Sequence, residues 1–171
     1  MNLPNKLTML RVILVPVVMA LLLLDYNIAA TILFAVASIT DFLDGYIARK
    51  YNLVSSFGKI MDPLADKLLV FCVLVCFIQL DAVSAWVPMI IIAREFFVTC
   101  MRVVAVSKGK VIAASWWGKI KTNVQFFSLL FSLLLYKAFP LATSVILWVS
   151  AIFTILSWIA YIFENKEVFK D

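Results

Sequence analysis

The chain has 171 residues, an apolar share of 65% and a formal net charge of +5, with a mean hydropathy of +1.07. That share lies far above the roughly 45–50% of soluble domains, and with 4 glycines and 5 prolines little of the chain can be loop. Histidine is absent, which excludes a His base, a His nucleophile and a His-ligated metal. Runs such as residues 68–80, apolar all round, exclude the alternation of a membrane β-barrel.

The expected fold is therefore an all-α integral membrane protein, organised as a single domain over residues 1–171. A helix needs about 20 residues to cross roughly 30 Å of hydrocarbon, and six such segments follow in order: 5–24, 28–49, 59–80, 83–106, 117–137 and 140–163. The first has the look of a signal peptide, with Lys6 and Arg11 ahead of an apolar run and Ala29-Ala30 behind it. Apolar segments continue to the end of the chain, so it is expected to be retained. The second carries Asp41 and Asp44, three residues apart, and the third carries Asp62 and Asp66, four apart. Both spacings put a pair of carboxylates on one helix face. Cys72, Cys76 and Cys100 lie in apolar runs and read as small core residues. The fourth segment holds Arg94, Glu95 and Arg102, the fifth opens with Lys119 and Lys121, and the sixth is apolar.

The uncharged runs 26–40, 68–80 and 82–93 are too short to span alone. The helices must continue through Asp41, Asp44, Asp62, Asp66, Lys67, Arg94, Glu95 and Arg102. Each charge would cost about 2.5–3.5 kcal/mol at a lipid-facing helix centre, so these groups are expected to face one another across a wet cavity. Of the 15 Lys and Arg, only Lys137 falls outside the half that holds both termini and the loops 50–58 and 107–118. The positive-inside rule makes that half cytoplasmic. Lys108, Lys110, Lys166 and Lys170 suit contact with anionic lipid. Four carboxylates with no soft ligand near them call for a hard divalent cation, Mg²⁺ or Mn²⁺. Gly45, Ala48 and Gly58 leave room beside the acids for a ligand to approach the backbone.

The run Asp41-x2-Asp44-Gly45-x2-Ala48-Arg49-x8-Gly58-x3-Asp62-x3-Asp66 resembles, with every spacing intact, the signature of the CDP-alcohol phosphotransferases. Pro4, Asn5, Thr8 and Arg11 resemble the family's opening. Residues 93–102 and 118–125 look like its phosphatidylglycerophosphate-forming branch, and 140–163 matches only as an apolar span. The resemblance implies six transmembrane helices with a metal-containing polar cavity in the cytoplasmic half, a homodimer, CDP-diacylglycerol and glycerol 3-phosphate as substrates, and CMP as leaving group. It implies that Asp41, Asp44, Asp62 and Asp66 surround the metal and that Asp66 is the base; the residues alone do not rank Asp66 above Asp62. Asn5, Thr8, Asp44, Gly45, Ala48, Arg49 and Gly58 would line the nucleotide site.

Arg94, Arg102, Lys119 and Lys121 would hold the acceptor's phosphate, since arginine suits bidentate contact with an oxyanion. Another acceptor alcohol, inositol phosphate or serine, is the nearest competing reading; an acceptor without phosphate would not need the basic cluster. A cation-coupled transporter would carry inverted repeats or helices broken by Gly or Pro, and neither is visible. No nucleic-acid partner is expected. The charge split makes the topology testable: cysteines introduced at positions 52 and 110 should label from the cytoplasmic side and one at position 26 from outside. Labelling of 52 and 26 from the same side would reject six crossings.

Overall fold

A computed structural model describes residues 3–50, 56–109, 112 and 115–166, without the side chains of 3–4, 42–50, 56–57 and 59–60. It consists of six α-helices: α1 Leu3–Leu23, α2 Asn27–Lys50, α3 Ser56–Gln79, α4 Trp86–Ser107, α5 Trp116–Leu135 and α6 Pro140–Glu164. The three middle-chain helices run unbroken through their charged residues, as the short uncharged runs required. The boundaries fall within about three residues of the expected ones, and the departure at α4 has a local cause. A start at residue 83 would bury Pro88 in the helix interior, where its missing N–H breaks the ladder. Starting at Trp86 puts Pro88 in the first turn, where that N–H has no intrahelical partner to lose. Pro140 opens α6 for the same reason.

The chain divides into two compact units, residues Met1–Asp81 and Ala82–Asp171. In the first, α1 packs along both α2 and α3, which barely meet each other. The inward stripe of α1 changes chemistry along its length. Asn5, Thr8 and Arg11 are buried at one end, Val18 and Leu22 at the other. Ala30 and Phe34 of α2 and Leu69, Val73, Cys76 and Phe77 of α3 are buried as well. Cys72 reaches the Val15 carbonyl with its thiol at 3.5 Å. Cys100 departs from the expected core position and is exposed; on an outward apolar helix face a small thiol needs no core. Asp25 ends α1 with φ 76°, a left-handed conformation that aspartate tolerates better than most residues.

In the second unit α6 takes the central place, packing against both α4 and α5. Its buried residues are Thr143, Leu147, Ser150, Ala151, Thr154, Ser157 and Tyr161. The steps of three and four describe one helix face, and that face is mostly small or hydroxyl-bearing. The facing stripe of α5 is Lys121, Gln125, Ser128, Leu129, Ser132 and Leu133. On α4 the stripe Val87, Pro88, Ile91, Arg94, Val98, Met101, Ala105 is buried, and its lower part clusters with Tyr161, Phe97 and Ile112. Arg94 and Lys121 thus sit on inward stripes by helical period.

Candidate active site

In the first unit the polar end of α1 holds one carboxylate on each neighbour. Arg11, 2% exposed, donates from Nη1 to Asp41 Oδ1 at 2.5 Å and from Nε to the Ala37 carbonyl at 3.1 Å. The Thr8 hydroxyl donates to Asp62 Oδ1 at 2.5 Å. Asp41 feels the charges of both Arg11 and Asp62. Asn5 and Gly58 are buried and Asp66, one turn beyond Asp62, is exposed. The structure therefore brings Thr8 and Arg11 of α1 to Asp62 and Asp41, the first acid of each spaced pair. Asp44, Gly45, Ala48 and Arg49 belong to α2, but their side chains lie outside the described residues. Among the described residues no three acids, cysteines or histidines gather as a metal-holding group. Asp41 and Asp62, the two acids that α1 holds, offer only oxygen, the donor type that hard divalent cations take.

The second unit holds a separate charge cluster. Arg94, 7% exposed, donates from Nη1 to Glu95 Oε1 at 3.0 Å and from Nη2 to Ser157 Oγ of α6 at 2.7 Å. The Lys121 ammonium, 4% exposed, donates to the same Glu95 Oε1. Arg94 Nε is buried with no hydrogen-bond partner. A Cβ built on Gly118 would lie 3.7 Å from Arg94 Nη2, so the guanidinium reaches the first turn of α5.

Of the four basic residues expected to act together, the structure groups Arg94 with Lys121. Arg102 and Lys119 lie on exposed faces. At 100° per residue, eight residues turn the helix about 80° beyond two full turns, and two residues turn it about 200°. Arg102 and Lys119 are therefore rotated away from their buried neighbours.

Three groups with clear roles were not singled out by spacing. Arg11 follows Thr8 by three residues, so it shares the stripe of Asn5 and Thr8; that period could have marked it as the counter-charge of an aspartate. Glu95 stands beside Arg94, and its link to Lys121 spans 26 residues. Ser157 belongs to the period of α6 and nothing in its neighbours distinguishes it.

Helices α1, from Asn5 to Leu23, and α6, from Pro140 to Glu164, are long and apolar enough to cross a membrane. Together with carboxylates and cations tied on inward helix faces, they define a helical membrane protein with buried ionic chemistry. The chain belongs to the CDP-alcohol phosphatidyltransferase family, whose model matches residues 1–156. It is 42% identical to the Bacillus subtilis CDP-diacylglycerol–glycerol-3-phosphate 3-phosphatidyltransferase, over 99% of this chain and 97% of that one. It is 40% identical to the Rickettsia typhi protein of the same name, over 98% and 99%. A probable phosphatidylglycerophosphate synthase of Mycobacterium tuberculosis is 38% identical over 94% of this chain and 80% of its own.

The Arg11–Asp41 pair yields a stability prediction. Arg11→Met should destabilise the protein by about 1–3 kcal/mol, between the exposed and buried limits for ion pairs because Asp41 is half-buried. Adding Asp41→Asn should recover part of that loss, since the stranded charge is then gone. Thermal melts in detergent of both variants check it; a double variant no more stable than Arg11→Met would reject the pairing as the cause.

Proposed function

We propose that the chain is the enzyme that transfers the phosphatidyl group of CDP-diacylglycerol to glycerol 3-phosphate, giving phosphatidylglycerophosphate and CMP. The observation that carries this reading is the 42% identity, over 99% of the chain, to the Bacillus subtilis protein named for that activity. The protein is then a transferase of phospholipid synthesis and works in the membrane where its lipid substrate resides. Six crossings, a cytoplasmic face on the basic half, a single functional domain and a homodimer complete the proposal. The charge split supports the orientation, and the family match across residues 1–156 supports one domain.

The family generally depends on a divalent metal. Asp41, Asp44, Asp62 and Asp66 would hold Mg²⁺ or Mn²⁺. When bound, the cation offsets charge on the pyrophosphate and on the attacking and leaving oxygens. Thr8 and Arg11 keep Asp62 and Asp41 in place, so the acids do not splay under mutual repulsion. Asn5, Thr8, Asp44, Gly45, Ala48, Arg49 and Gly58 line the nucleotide site. Arg94 and Lys121, the pair grouped at Glu95, bind the acceptor's phosphate. Asp66 takes the proton of the attacking hydroxyl. The new bond joins that oxygen to the phosphorus bearing diacylglycerol, the bond from that phosphorus to the bridging oxygen breaks, and CMP leaves.

The decisive assay is CMP release from CDP-diacylglycerol. Release should require glycerol 3-phosphate, stop in EDTA and return with Mg²⁺ or Mn²⁺. Release without the acceptor, or with serine in its place, would reject the acceptor; full turnover in chelator would reject the metal. Asp66→Asn tests the base separately. It should lower kcat by about 10²–10⁴ while nucleotide binding survives. Retention of more than about a tenth of wild-type kcat, with chemistry rate-limiting, would remove Asp66 from that role.

A further inference from the structure

We infer that Glu95 is a positioning residue for the acceptor's phosphate: its carboxylate holds Arg94 and Lys121 side by side so that both can meet one oxyanion. The inference rests on the assignment of Arg94 and Lys121 to that phosphate and extends it to a residue that does not itself touch the substrate.

Arg94 and Lys121 are like charges, 7% and 4% exposed, brought together on different helices. Left alone they would repel and turn toward water. A single atom, Glu95 Oε1, accepts from Arg94 Nη1 and from the Lys121 ammonium. Two donors on one acceptor oxygen fix the separation between the two cations. Ser157 on α6 takes Arg94 Nη2 at 2.7 Å, so the guanidinium is held at both terminal nitrogens and cannot rotate about its own axis. The Nε–H of the same guanidinium is buried and without a partner. An unmet buried donor is destabilising, and an anionic oxygen is the acceptor that relieves it best. The formal charge of Arg94, Lys121 and Glu95 taken together is +1, one carboxylate against two cations. One internal anion thus holds both cations in place, and the Arg94 Nε–H is a donor left for a second. A phosphomonoester supplies that second anion; a hydroxyl-only acceptor does not.

The pyrophosphate of the lipid donor offers similar oxygens, so the test measures both substrates. Apparent KM values for glycerol 3-phosphate and for CDP-diacylglycerol are determined on the full chain in detergent micelles. Glu95→Gln should raise the KM for glycerol 3-phosphate about 10-fold or more, with that for CDP-diacylglycerol little changed. Glu95→Asp, which keeps the charge, should fall between Glu95→Gln and wild type. In a Lys121→Ala background the effect of Glu95→Gln should shrink, because residues that act through one another are not additive.

An acceptor KM that stays the same or falls in Glu95→Gln overturns the inference, as does an equal rise for both substrates. If Glu95→Gln does not fold, Ser157→Ala decides: a several-fold rise in the acceptor KM alone supports the clamp, and an unchanged value overturns it. The underlying assignment fails differently. If Lys121→Ala leaves the acceptor KM unchanged, the phosphate is not bound there at all. If Lys121→Ala raises it and Glu95→Gln does not, only the role of Glu95 is lost.

Discussion

A cation buried on one helix, held by a carboxylate on another, is the constraint from which the rest of this structure follows. Apolar helices in lipid gain little from touching one another, because acyl chains are as apolar as leucine. Most of this chain would be content in any rotation. The charges are not: each costs about 2.5–3.5 kcal/mol if turned to lipid at mid-depth. Arg11 to Asp41 and Lys121 to Glu95 therefore choose which face of each helix turns inward. Packing of Phe34, Phe77, Ile91 and Leu133 then follows from a rotation already chosen.

The central helices of the two units answer this constraint differently. α1 divides its inward stripe in two, polar toward residue 5 and apolar toward residue 22. Its polar end can hold acids on both neighbours while its apolar end anchors them. α6 is small-sided along most of its inward face, with Ser150, Ala151, Thr154 and Ser157 buried. Small side chains let helix backbones approach closely, and this approach puts the Ser157 hydroxyl within reach of Arg94. Rigidity at the cluster thus comes from residues with little bulk of their own.

Much of this architecture was legible in the sequence. The hydrophobic runs located the helices, and the aspartate pairs marked the faces on which Asp41 and Asp62 meet α1. The reach of three helices through their charged segments followed from lengths alone. The pairing of cations with acids was harder to read. Nearness and charge group Arg102 and Lys119 with Arg94 and Lys121, although steps of eight and two residues rotate them about 80° and 200° away. Glu95 looked like a local partner of Arg94, and its bond to Lys121 depends on how α4 and α5 pack. Ser157 carries no charge and is one of several serines on the same period.

The Arg11–Asp41 contact also has a bearing on how the chain is made. The two residues stand 30 apart, and at roughly 5–20 residues per second of synthesis that is a delay of several seconds. During that interval the nascent α1 presents a guanidinium whose counter-ion has not yet been translated. Its long aliphatic stem allows the head to stay at the headgroups while the rest of the segment enters the bilayer. Arg11 joins the chain before its counter-ion does, and its buried site is complete only once α2 has been synthesised. Assembly of this small enzyme is ordered by its own chain direction.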